Sequence, residues 1–61
     1  MKWYKFRDTE EFKNADIIHT VNENGEEVEI SSDKLQRMEV VDVKRIGYPE
    51  MFPRELEVTI R

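Results

Sequence analysis

The chain has no cysteine, only two glycines and two prolines, and a single histidine in 61 residues. Without cysteine there is no disulfide staple and no thiolate metal site, and the usual mark of a small secreted scaffold is missing, so a reducing cytoplasm is the expected compartment. Long apolar runs are also missing. They stop at pairs such as Ile17-Ile18 and Val40-Val41, far below the ~20 residues that a membrane-crossing helix needs. The opening Met1-Lys2-Trp3-Tyr4-Lys5-Phe6-Arg7 is basic but has no apolar stretch behind it, so it does not read as a signal peptide. No repeat, low-complexity tract or linker divides the chain, and residues 1–61 are read as one domain.

The charge balance is acidic, 14 carboxylate against 10 cationic side chains for a net charge of -4. It disfavours nucleic acid and anionic membranes and favours a partner with a basic surface. One Trp, two Tyr and three Phe, with many Val and Ile, supply the apolar content that disordered tails lack. A chain this short buries roughly 60% of the surface it exposes when unfolded. Its apolar gain therefore barely offsets ordering costs of about 1.5 kcal/mol per residue, and a second copy or another partner would add stability.

Strand periodicity dominates the sequence. Lys2 to Arg7 alternates, with Tyr4 and Phe6 on one face and Trp3, Lys5 and Arg7 on the other, as in a first strand. Asp8 and Glu11 have the spacing of a capping box, which predicts one or two helical turns through Ala15. Asn24-Gly25 predicts a two-residue hairpin loop, because both residues tolerate positive φ. In that register Val21 faces Val28 and His19 faces Ile30, with Ile17 on the same inner face, while Thr20, Asn22, Glu27, Glu29 and Ser31 face water. Ser31-Ser32-Asp33 predicts a short capped turn that buries Leu35 and Met38. Glu39 to Ile46 carries apolar residues on both faces, as a central strand or a bulge would. Arg54 to Arg61 alternates most cleanly, with Leu56, Val58 and Ile60 inward. The expected fold is mainly β, a β-rich α+β domain: a small antiparallel sheet or an open SH3- or OB-like barrel of about five strands with one or two short helical turns.

No stretch carries a catalytic signature, and no cofactor or metal is expected. An EF-hand alignment fails because Thr20 stands where the first Asp belongs and Ser31 where the bidentate Glu belongs. His19 has no base-orienting third group in reach and reads as a histidine at the rim of the core. Three features are candidates for binding. Glu23, Glu26, Glu27 and Glu29 crowd one hairpin and would meet a basic partner, or else form a solvated tip. Tyr48, Met51 and Phe52 lie in a loop stiffened by Pro49 and Pro53, as interface anchors or as a lid on the core. Trp3, set among Lys2, Lys5 and Arg7, has the chemistry of a single-strand-binding strip. The short acidic chain, ending in strand, loop and strand, looks like many small phage open reading frames, which implies a host cytoplasm. The function expected is non-enzymatic: a protein-interaction module, either an acidic inhibitor of a host protein encoded by a phage or mobile element, or a self-associating homodimer. The alternatives are a single-stranded nucleic-acid-binding small barrel and a structural subunit of a larger assembly.

Overall fold

The computed structural model of the chain describes residues 1–47 and 52–61. Among them the elements run α1 (Trp3–Phe6), α2 (Glu10–Asn14), β1 (Ile17–Val21), α3 (Ser32–Leu35), β2 (Val40–Ile46) and β3 (Glu55–Ile60). The architecture is a β-rich α+β arrangement in which one three-stranded mixed sheet, ordered β1-β3-β2, carries short helices on one face. This corrects the expectation of five strands in an antiparallel sheet or barrel. The strand latest in the sequence is the central one, pairing parallel with β1 and antiparallel with β2.

β3 folds as its alternation dictates. Leu56, Val58 and Ile60 are buried on the helix-bearing face, and Glu55, Glu57 and Thr59 are half-buried on the other. β1 contributes Ile18, opposite Leu56, and Thr20, opposite Val58, to the core face. Its outer face holds Ile17, His19 and Val21, so the inner face predicted for this strand is inverted. β2 pairs Val40 with Ile60 and Asp42 with Thr59, which leaves Val41 as the extra residue of a bulge. The expected bulge is present, but the strand lies at the sheet's edge rather than its centre, and its burial is sparse beyond Val40.

The segment read as a first strand is a helical turn. Trp3 and Phe6 lie three residues apart, a spacing that places both on one helical face, and both are buried. A single turn is not stable alone. This one is fastened by the Trp3 amide donating to the Met38 carbonyl at 2.9 Å and by an antiparallel bridge between Lys2 and Glu39. Phe12 of α2 completes an aromatic triangle: ring centroids are 5.5 Å apart for Trp3 and Phe6, 5.6 Å for Phe6 and Phe12, and 6.1 Å for Trp3 and Phe12. The two contacts with Phe12 are edge-on, the arrangement that ring quadrupoles favour. The triangle and Leu35 and Met38 pack with the β3 side chains into one core.

The start of α2 differs from the predicted capping box by one residue. Thr9 is the cap: its hydroxyl accepts from the Phe12 amide at 3.3 Å and donates to the Phe6 carbonyl at 2.7 Å, tying α2 to α1. The predicted turn after Ser31 is present as α3, with Leu35 and Met38 half-buried against the core.

Candidate functional site

The Asn24-Gly25 turn forms with one more loop residue than predicted. Asn22 pairs with Glu26 through its amide at 2.9 Å, and Gly25 alone takes positive φ, +84°. That is the three-residue loop, a tight turn closed by one left-handed glycine. Asn22 reinforces it, its side-chain oxygen accepting from the amides of Asn24 and Glu26. The slip moves Val21 opposite Glu27 and sets Thr20 beside Val28, whose amide donates to the Thr20 carbonyl at 3.0 Å. Beyond that bridge, residues 28–30 are not a strand, although Val28 and Ile30 still pack on the core.

Because of the slip, His19 sits among charges rather than at the rim of the core. Its Nδ1 lies 3.1 Å from a Glu27 carboxylate oxygen and its Nε2 lies 3.2 Å from one of Glu55. The Glu55 hydrogen bond is the largest influence on the imidazolium and, joined by the hydrogen bond to Glu27 and the charge of both carboxylates, raises its pKa above the usual histidine value against an opposing desolvation. Glu55 lies 36 positions along the chain, and only the parallel pairing of β1 with β3 brings it here. No local signal in the sequence marks that pairing.

The four hairpin glutamates do not act as one cluster. Glu23 reaches the far end of β3, where Arg61 donates from Nε at 2.5 Å, and this guanidinium lowers the Glu23 pKa. Glu27 joins His19. Glu26 and Glu29 are exposed and hold no ion pair among the described residues.

Tyr48 and Met51 lie outside the described residues. Phe52 is 74% exposed, the most open large apolar side chain described. The Arg54 guanidinium lies 5.1 Å from its ring centroid, within cation–π range. The neighbouring backbone is well anchored: the Arg54 carbonyl accepts from the amides of Asp16 and Ile17, and the Arg54 amide donates to the Asp16 carboxylate at 2.9 Å. Ile17, 39% exposed, follows directly on β1. Ile17 and Ile46 flank Glu55 in one row across the outer face of the sheet. The local signal for Arg54 is the run Phe52-Pro53-Arg54 itself, which sets the ring and its cation two residues apart.

Trp3 is not available as a stacking platform. It is 6% exposed, within the aromatic triangle, whereas Lys5 on α1 and Arg7 just after it are exposed. Among the described residues no group of three or more His, Asp or Glu side chains converges to hold a metal ion, and no helix is long and apolar enough to cross a membrane. Comparison with protein-family models, curated proteins and solved structures finds no match to this chain.

Proposed function

We propose that the chain is a non-enzymatic protein-interaction module that engages a partner with a basic surface through Phe52 and the acidic outer flank of the sheet. The observation that carries this reading is the Phe52 ring, 74% exposed with the Arg54 guanidinium against it, on backbone anchored to β1. Aromatic and arginine side chains dominate binding energy at protein interfaces when they fill a partner's pocket, and burying a phenylalanine is worth about 1.5–3 kcal/mol. Arg54 is fixed at its backbone before binding, so less ordering remains for association.

Charge supplies selectivity. Next to the Phe52 end of the sheet lie Glu55 and Glu57, with Glu26 and Glu29 exposed along the hairpin arm. Such a field steers a basic partner and repels an acidic one. Pairing through the open edge of β2 is a weaker route to self-association, since the bulge at Val41 and the charged Asp42, Lys44 and Arg45 blunt that edge. The single-strand-binding alternative loses its stacking surface with Trp3 in the core.

The test is capture of complexes by the tagged chain, compared with Phe52→Ala and with a Glu26/Glu29 charge reversal, followed by the oligomeric state of the purified chain. A foreign protein that binds the wild type, is released by salt and is lost with Phe52→Ala would support the reading. The same complex surviving both sets of changes would overturn it, and a complex of the bait alone would assign Phe52 to self-assembly.

A further inference from the structure

The hydrogen-bond chemistry of His19 leads beyond a static contact. An ionised carboxylate accepts and does not donate, and a neutral imidazole has one N–H and one lone pair. Both ring nitrogens of His19 face carboxylate oxygens, Glu27 at 3.1 Å and Glu55 at 3.2 Å. Only the imidazolium satisfies both contacts. When the proton leaves, one carboxylate is left facing a lone pair.

The two carboxylates belong to different parts of the fold. Glu55 opens the central strand and its side chain is 32% exposed. Glu27 belongs to the hairpin arm and is 75% exposed. The less solvated Glu55 keeps the remaining N–H, and Glu27 turns to water. We infer that His19 is a proton-operated clamp that fastens the 26–29 arm to the sheet when protonated and loosens it when neutral.

The surroundings reinforce the imidazolium. The arm presents Glu27 and Glu29 to the hollow that His19 lines. β3 presents Glu55 and, directly opposite His19 in the ladder, Glu57. From β2 the facing charge is Lys44, one strand further and paired across with Glu57. On β1 itself the outward neighbours are Ile17 and Val21, which carry no charge. Carboxylates therefore outnumber cations around the ring, in keeping with its raised pKa. A group whose folded pKa is raised stabilises fully below its unfolded value, ~6.5 for histidine. That contribution disappears as pH climbs through the folded value. The clamp is closed at mildly acidic pH and opens on the alkaline side of the ordinary histidine range.

Release loosens the arm without detaching it, because the Val28 amide still donates to the Thr20 carbonyl at 3.0 Å and Thr20 Oγ1 to the Val28 carbonyl at 3.0 Å. The test is a pH titration of the full chain by NMR. It follows the His19 ring nitrogens and the amide-exchange protection of Val28, with Val58 in the central strand as the internal reference. The expected result is a ring midpoint above that of an unstructured histidine, lowered by both Glu27→Gln and Glu55→Gln. Val28 protection should fall roughly twofold to fivefold relative to Val58 across that midpoint, the scale of an exposed ion pair, and the step should vanish in His19→Gln. Glu27→Gln changes only an exposed arm residue, so it provides the same loss of the step should His19→Gln fail to fold. An ordinary midpoint in all proteins, or a Val28 step that is absent from the wild type or persists in the variants, would overturn the clamp.

Discussion

Val58 and Thr20 face each other across the parallel ladder, a fully buried valine opposite a threonine whose hydroxyl donates instead to the Val28 carbonyl at 3.0 Å. On its other side Val58 faces Val43, so it touches both edge strands of the sheet. Removing two methyl groups here leaves a cavity at a residue of the central strand that is fully buried and flanked by both edge strands. Val58→Ala should destabilise the fold by about 2 kcal/mol, read as a lowered denaturant midpoint. That is a large share of the stability of so short a domain, at about 0.05–0.15 kcal/mol per residue.

The aromatic triangle makes a stronger prediction. Phe6, 1% exposed, contacts both other rings, and Phe6→Ala should cost about 3–5 kcal/mol, enough to leave much of the chain unfolded at room temperature. Trp3, the sole tryptophan, reports this directly. Its emission should be that of a buried indole in the wild type and shift to the red in Phe6→Ala. Titration with single-stranded oligonucleotides should leave the wild-type emission unchanged.

Thr9 links α1 to α2 by accepting from one helix and donating to the other. Thr9→Ala should cost about 1 kcal/mol in thermal or chemical denaturation, the usual worth of a helix cap, and Thr9→Ser should restore most of it. Asp8→Ala should lie within about 0.5 kcal/mol of the wild type, as an exposed residue away from the cap does.

Gly25 has open space around its α-carbon, so a side chain there meets no neighbour. Its φ of +84° is nevertheless strained for any residue with a β-carbon. Gly25→Ala should therefore cost about 1 kcal/mol through backbone strain alone, and Gly25→Asn less, since asparagine tolerates the left-handed region. A matched series of melting curves separates strain from steric clash.

Acid titration tests two ion pairs. Arg61 lowers the Glu23 pKa, and Lys2, with the amino group of Met1, lowers that of Glu39. Both glutamates start from an ordinary value of 4.5. A carboxylate with a lowered folded pKa contributes stability above its unfolded value, and that contribution is lost as pH falls through the folded one. Thermal stability should therefore decline on acidification below 4.5, and Glu23→Gln should flatten part of that decline while weakening the protein only slightly at neutral pH.

How much of this was legible in the sequence depended on the length of each signal. β3 was plain, because its alternation of inward Leu56, Val58 and Ile60 runs the whole length of the strand and fits no helix. The opening segment was ambiguous, because a few residues with apolar side chains at 3, 4 and 6 satisfy both a strand period and a helical one. Tertiary packing around Phe12 decided for the helix. The turn at Asn24-Gly25 was visible but its length was not. One extra loop residue moved every partner and turned His19 from the core towards Glu27 and Glu55. Of the candidate site, exposed Phe52 stood out by its setting between prolines. The Glu55 contact with His19 did not, since it depends on which strand lies at the centre of the sheet, and strand order leaves no local mark.

That order has a consequence for how the chain acquires its structure. β1 and β2 do not pair with each other, and each meets only β3. The ladder from Ile17 to Glu55 spans 38 positions, so its closure precedes any reward from the parallel contacts. During synthesis the first two strands wait without a template while residues 55–60 are still within the ribosome. A chain cut before Glu55 lacks the strand that both β1 and β2 pair with, and so has no sheet to enter.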